Sequence, residues 1–436
     1  MASTPKIHRG FLVLIACCAI CFSTVTLSFN TMGLFYTPAG TDLGIEVGRF
    51  GTYISAEYLS MAICMFFAGK ILAKYDARKV LTICCTMVSA GIILMSTYNQ
   101  LWQFYCSAIV MGAANTILLY LMVPTMIDRW FKDRVGFFVG LALAFTGIGA
   151  VVFNPLGGWL IKSFGWRSGY LVFGIISAII GIPSAFFLVR NKPADMSLTP
   201  WTKRSAAELE AEAQAAAAAA SKGVSFSRAV RTPALYMVAL FAGVIDMGVT
   251  LNYYLPSYEM SLGYDVLVTS TFASAVMIGQ TLGKIGLGVI NDWNVKAGAA
   301  TAITCGIVGV GLMTFLGGTG IVWLYIGAFF YGIFFAGATV TVSLMVRGVY
   351  GSKDFARIFS ITSTVATLSS AFSSAIWGWV VDLTGSYQVM LYIGLGVMFL
   401  IYFIAAAYFK MGEKVKREAE AEDARLAAEA QAATAE

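Results

Sequence analysis

Twelve apolar runs, each long enough to cross a bilayer, follow one another along this chain: residues 11–36, 50–72, 80–97, 102–126, 136–160, 168–189, 233–256, 266–290, 297–316, 321–345, 357–380 and 388–409. A hydrocarbon core about 30 Å thick is crossed by about 20 helical residues. Nothing in that core hydrogen-bonds an open backbone, so each run must satisfy its own N–H and C=O groups, and a helix does so. The expected fold class is an all-α membrane protein of 12 transmembrane helices. Only 12% of the residues are charged, against 58% hydrophobic, too few to clothe a water-facing surface. The first run follows Lys6 and Arg9 and outlasts a signal-peptide core, so it reads as a retained span.

Basic residues orient the spans. The termini and the even-numbered connections hold 25 of the 29 Lys and Arg; the opposite loops hold three, Arg49, Lys162 and Arg167. That bias places both termini, with the long connection 190–232, in the cytoplasm. The connection splits the chain into an N-terminal six-helix bundle (1–189) and a C-terminal one (233–409), with a charged cytoplasmic tail at 410–436. Within the connection, SAAELEAEAQAAAAAA is a strong helix former without an apolar stripe, a solvated linker helix in expectation. The basic cluster at 410–417 sits where it meets anionic membrane lipid.

Other function classes lose their footing on composition. The eight Cys lie mostly inside apolar runs without metal-ligand spacing, and the only His, His8, precedes the first span. No metal site or cofactor is expected. There is no GxxxxGK[ST] loop to drive a pump and no catalytic constellation, so the chain is not read as an enzyme. The net charge of +6 is accounted for by topology and gives no reason to expect a nucleic-acid partner.

Ionisable residues inside spans carry the functional reading. Lys284 lies in TSTFASAVMIGQTLGKIGLGVINDW, residues 269–293, about 12 Å from Asp292 at the helical rise. With Asp292 at the membrane face, Lys284 falls near the midplane, where a charge is costly unless paired, hydrated or holding a ligand. Asp246, about 20 Å beyond Pro233, has a similar depth and is the expected partner of Lys284. Glu57, seven residues into the second span and nearer its outer end, is a further candidate for proton coupling or ion pairing, and equally for a solvated or helix-end hydrogen-bond role.

Polar and aromatic residues punctuate the other runs: Asn30 and Tyr36 in the first, Asn115 and Tyr120 in the fourth, Asn252 and Tyr253 in the seventh, Tyr331 in the tenth, Trp377 in the eleventh. Gathered around a cation, they would wall a pocket for a small organic anion; taken singly, each also suits helix packing. The fifth run carries GIGAVVFNPLGGW, in which Asn154-Pro155 between glycines marks a kinked helix junction or a gate. Arg129 and Arg134 in DRWFKDRVG form a charge cluster at the inner face, a latch or a solvated surface.

These stretches resemble the major facilitator superfamily over nearly the whole chain. Gly69 to Lys79 stands where the superfamily has its signature loop, with Ala73 in place of the usual Asp and Asp76 in place of the usual Gly. A second copy at 288–296 keeps the acid as Asp292. RWFKDRVGFFVGLA, LIKSFGWRSGYLVFG, GKIGLGVIND, FARIFSITSTV and GWVVDLTGSYQ are similar to the monocarboxylate transporter and oxalate:formate antiporter branch. That branch places a carboxylate-binding Arg in the eighth span, and Gly283, Lys284 and Gly288 match its spacing with Lys in place of Arg. Gln280 replaces the Asp of animal members, their first-span Lys has no counterpart, and the second cation of oxalate exchangers is missing, with only Arg357 at the inner edge. One central cation favours a monoanion.

The resemblance implies two bundles of six helices and alternating access of a midplane site. The expected function is secondary transport of a small organic monocarboxylate, by proton symport or exchange, by a monomer in a prokaryotic plasma membrane. The alternative is another organic solute, amphipathic, dicarboxylate or neutral, with Lys284 and Asp246 as a structural ion pair. Orientation is directly testable: in sealed right-side-out cells, impermeant thiol reagents should label cysteines placed near Arg49 and Lys162 and miss those at Ser221 and Glu420. Labelling of the last two would reverse the topology.

Overall fold

The structure is a computed structural model that describes residues 8–202, 224–351 and 353–435. The Ala-rich stretch expected as a linker helix lies outside the described residues. Twelve helices among those described are long and apolar enough to cross a membrane. They are α1 Arg9–Leu43, α2 Val47–Lys74, α3 Ala77–Met95, α4 Leu101–Trp130, α5 Val135–Phe164, α6 Trp166–Leu188, α7 Pro233–Tyr253, α8 Val266–Trp293, α9 Val295–Leu316, α10 Ile321–Tyr350, α11 Arg357–Thr384 and α12 Tyr387–Glu418. Each coincides with one apolar run, and most extend past it. Among the described residues there is no strand, only an isolated bridge between Phe131 and Trp201.

Local chemistry sets the helix ends. Asp76 begins α3 by accepting the N–H of Arg78 at 2.8 Å, and Asn294 begins α9 by accepting that of Lys296 at 2.9 Å. The two signature-type loops thus share a cap, although their acids at 76 and 292 stand at different positions. Four departures from α-helical winding interrupt the spans that matter most. α1 widens to a π-turn at Cys21–Val25 and tightens to a 3-10 turn at Met32–Phe35. α4 has a π-turn at Thr116–Leu121 and α7 closes in a 3-10 turn at Leu251–Tyr253. Such breaks redirect side chains and free carbonyls, and they concentrate at functional sites.

The halves α1–α6 and α7–α12 meet chiefly through α5 against α8 and α2 against α11. With twelve crossings both termini share one face, here called the terminal face; the opposite one is the distal face. The polar contacts between the halves cluster in their distal portions. Gly48 N–H donates to Asp382 Oδ1 at 2.9 Å, Thr37 to Ser257 at 2.8 Å, and the hydroxyls of Tyr58 and Tyr253 lie 3.0 Å apart. Lys162 and Asp265 form an ion pair at 3.2 Å. The Leu267 N–H and the Lys162 ammonium hold the Asp265 carboxyl below its usual range, so this bond survives mild acidification. The distal end is closed in this conformation.

Two glycine contacts set how closely the halves approach. A Cβ on Gly48 would run into the carbonyl of Gly378, and one on Gly147 into the hydroxyl of Thr281. Pro155 adds a directional contact. Having no N–H, it leaves the carbonyl of Val151 without its helical donor. Ser274 of α8 lies 3.2 Å from that carbonyl and the same distance from its own helix's Ser270 carbonyl. Pro155, inside a helix that runs from Val135 to Phe164, therefore works as a docking point for the other half.

Gly48→Val should hold the distal end open without unfolding either half, since the clash is between halves. The expected outcome is uptake reduced by about tenfold or more, from a collision with unyielding backbone, together with increased reagent access to a cysteine at Thr37. Gly140→Ala, which meets open space, should retain uptake. Wild-type uptake by Gly48→Val would show that this approach is not required.

Candidate functional site

The expected charge pair does not form. Among the described residues no ion pair joins Lys284 to Asp246. Lys284 lies on α8 about 14 Å from its Trp293 end, one turn beyond Thr281, which packs on Gly147 of α5. It is half-buried, with the Cys21 thiol at the α1 π-turn as its ionisable neighbour. Asp246 is directed elsewhere. Ser370 of α11 donates to its Oδ2 at 3.2 Å, and the phenols of Tyr58, Tyr120 and Tyr253 lie within its electrostatic reach. Similar depth along two helices does not bring side chains together when their rotations about the helix axes differ.

Glu57 is fully buried beneath the distal closure. Asn115 Nδ2 donates to its Oε1 at 2.8 Å and lies 3.2 Å from the Ser28 hydroxyl. The other carboxyl oxygen has no hydrogen-bond partner, and Glu57 takes part in no ion pair among the described residues. Tyr58, next in sequence, reaches across to Tyr253, whose ring stacks on Tyr36 with centroids 6.3 Å apart. Tyr36 is itself fully buried with an unpartnered hydroxyl. Thus Tyr36, Glu57, Asn115 and Tyr253 converge from α1, α2, α4 and α7, while Tyr120 faces Asp246 and has Thr367 as its hydrogen-bond partner.

Other expected pocket residues are engaged in structure. The Tyr331 hydroxyl lies 2.8 Å from the Gly248 carbonyl and 2.9 Å from that of Val249, and it also meets the backbone of Asn252. Trp377 Nε1 donates to the Met247 carbonyl at 2.9 Å. These two side chains grip α7 beside Asp246 and position it; both are fully buried. Asn252 is half-buried and enters the region through its backbone.

The expected gating residues divide by face. Asn154 is buried with neither side-chain polar atom partnered, directly before Pro155. Arg129 donates to Asn191 at 2.6 Å and to the Leu72 carbonyl at 3.1 Å, tying α4 to α2 and the start of the long connection. Arg134 is exposed in a left-handed turn with φ 50°, and Asp292 is exposed at the end of α8. Arg129, Arg134 and Asp292 all lie at the terminal face, away from the closed end.

Sequence reading missed Tyr58, Ser370, Ser274 and Asp382. Tyr58 adjoins a recognised acid, and Ser370 lies in the hydroxyl-rich TSTVATLSSAFSS, which offers too many equivalent hydroxyls to single one out. Groups of three or more His, Cys, Asp or Glu able to hold a metal are absent among the described residues.

The chain matches the family model described as Major Facilitator Superfamily over residues 16–336. It is 26% identical over 292 residues to the glucose-6-phosphate exchanger SLC37A2 of Xenopus tropicalis, covering 59% of this chain and 57% of that protein. It is 20% identical over 441 residues to monocarboxylate transporter 12 of Xenopus laevis, covering 94% and 91%. The match to the exchanger spans little more than half of that protein's length, whereas that to the monocarboxylate transporter is nearly end to end. Among solved structures, the nucleoside transporter NupG aligns with a TM-score of 0.68 at 14% identity, over 93% of this chain and 99% of that one. A bacterial homologue of the human lysosomal transporter Spinster, inward-facing and unoccupied, gives a TM-score of 0.66 at 14% identity, over 95% and 99%. These likenesses confirm two six-helix bundles, and with the family model spanning most of the sequence, the chain belongs to the major facilitator superfamily.

Proposed function

We propose that this secondary transporter, which moves a small solute by alternating access, carries a small organic monocarboxylate with Lys284 as its counter-charge. The observation behind this reading is a lysine deep in its span that forms no ion pair with any carboxylate among the described residues. A half-buried ammonium at that depth is tolerated when water or a ligand reaches it. A single cation matches a single carboxylate, and an ammonium holds it as a point charge without the two-pronged geometry of Arg. The near full-length relative named a monocarboxylate transporter supports the same class. The alternative, in which Lys284 serves only to balance Asp246, is left without the ion pair it needs.

Asp246 and Glu57 are the carboxyls available to carry protons in this scheme. Asp246 is hydrogen-bonded to Ser370 and Glu57 to Asn115, and neither depends on Lys284 for its partner. Protonation and anion binding are therefore separable by mutation. With the termini cytoplasmic, the closed distal end would make this the inward-facing conformation.

Initial uptake of a radiolabelled monocarboxylate into proteoliposomes tests the reading. Lys284→Ala should abolish uptake, and Lys284→Arg should keep part of it, since the charge remains on a bulkier group. Asp246→Asn should preserve anion exchange while weakening stimulation by an inward proton gradient. Wild-type-like uptake by Lys284→Ala, with normal membrane expression, would end the claim that Lys284 binds the substrate.

Asn115→Ala is a separate test of the Glu57 arrangement. Removing the sole donor to a buried carboxyl should lower stability by about 1–3 kcal/mol, read as a reduced thermal midpoint in detergent. An unchanged midpoint would show that Glu57 does not rely on Asn115.

A further inference from the structure

Away from the transport path, a groove of about 780 Å³ opens between α2 and α11 at the distal end. It is amphipathic along its length. Its apolar wall includes Leu59, Phe372, Trp379 and Leu383, all exposed. From Glu46 to Leu59 is about 20 Å of helix, enough to take a chain from the membrane face well into one leaflet.

The mouth of the groove carries the charges. Glu46 and Arg49 lie one turn apart at the start of α2, both are exposed, and neither takes part in an ion pair among the described residues. Asp382 also lines the groove, but its carboxylate is committed to the N–H groups of Gly48 and Arg49 at the start of α2. Glu46 and Arg49 thus stand above an apolar trough without an ion-pair partner among the described residues, with the Asp382 carboxylate within electrostatic reach of both. An occupant with complementary charges has an ammonium that donates to Glu46, a phosphate that accepts from Arg49, and an acyl chain below.

We propose that this groove binds phosphatidylethanolamine from the distal leaflet. Its headgroup has both charges, and its ammonium has the N–H donors that a carboxylate accepts. Phosphatidylcholine has the same charges without those donors, and phosphatidylglycerol has no cation. The two walls belong to opposite halves of the transporter, and they are held together at the groove by the Gly48–Gly378 contact. A lipid seated across them therefore favours the distally closed conformation, because a ligand shifts an equilibrium toward the state that binds it more tightly.

Delipidated transporter should be tested with each of the three lipids, reading retained lipid by native mass spectrometry and the thermal midpoint in detergent. Phosphatidylethanolamine should be retained best and raise the midpoint most, by an amount that grows with the logarithm of its concentration once binding is saturated. Glu46→Gln and Arg49→Gln change exposed side chains outside the transport site and should leave folding intact. Each should weaken phosphatidylethanolamine retention by about tenfold, the loss of one charge-assisted hydrogen bond. Glu46→Gln should also bring phosphatidylethanolamine and phosphatidylcholine level. Ala375→Trp, which fills the trough, should remove retention of all three. Equal retention of the three lipids by wild type, or an undiminished phosphatidylethanolamine preference in Glu46→Gln, would overturn the proposal.

Discussion

In hydrocarbon a backbone carbonyl that loses its helical donor must find another, and the relation between the two halves of this transporter depends on that constraint. Pro155 deprives Val151 of its donor, and the hydroxyl that approaches the freed carbonyl belongs to α8 of the opposite half. Near this contact Gly147 lets α5 close on Thr281, and at the distal end of the other seam Gly48 lets α2 close on the backbone of Gly378. Of these contacts only the Gly48–Gly378 approach has a charged group beside it, the Asp382 carboxylate that accepts the Gly48 N–H. Their strength lies in close backbone approach and in directional hydrogen bonds that vanish with a small separation, and this suits an interface that has to open and close as a unit.

The polar residues inside the spans divide into those already partnered and those left available. Tyr331 and Trp377 are engaged with α7 carbonyls, so they position the turn bearing Asp246 and have little left to offer a ligand. Tyr58 is engaged with Tyr253 across the distal closure. Glu57 retains one unpartnered oxygen and Tyr36 an unpartnered hydroxyl, both beneath that closure. Among the described residues Lys284 takes part in no ion pair. The opposite charges, at a similar depth, stand on separate sets of partners.

How much of this was legible depended on whether a one-dimensional signal existed. Hydrocarbon thickness is written directly into run length, so all twelve spans were visible. Rotation about a helix axis has no such signature when the span is apolar on every side. The pairing of Lys284 with Asp246 rests on depth alone, and no ion pair joins them among the described residues. Tyr331 and Trp377 were read as pocket walls because the sequence cannot show whether a hydroxyl or indole N–H has already found a carbonyl. Cross-half contacts such as Gly48 with Asp382, distant in sequence, were beyond reach without the fold.

The missing ion pair bears on how transport is coupled, if Lys284 holds the anion as proposed. Occluding the midplane during the conformational change withdraws water from the ammonium, and an unpaired charge resists that step. A bound carboxylate cancels the charge and lowers the cost of passing through the occluded state. A carrier whose lysine paired with its own aspartate could reset empty, because the internal carboxylate would replace the departed substrate. Here Asp246 is held by Ser370 among tyrosines and does not neutralise Lys284 in the conformation observed. The loaded carrier therefore changes conformation more readily than the empty one, and obligatory exchange of one anion for another follows more directly from this geometry than net symport does.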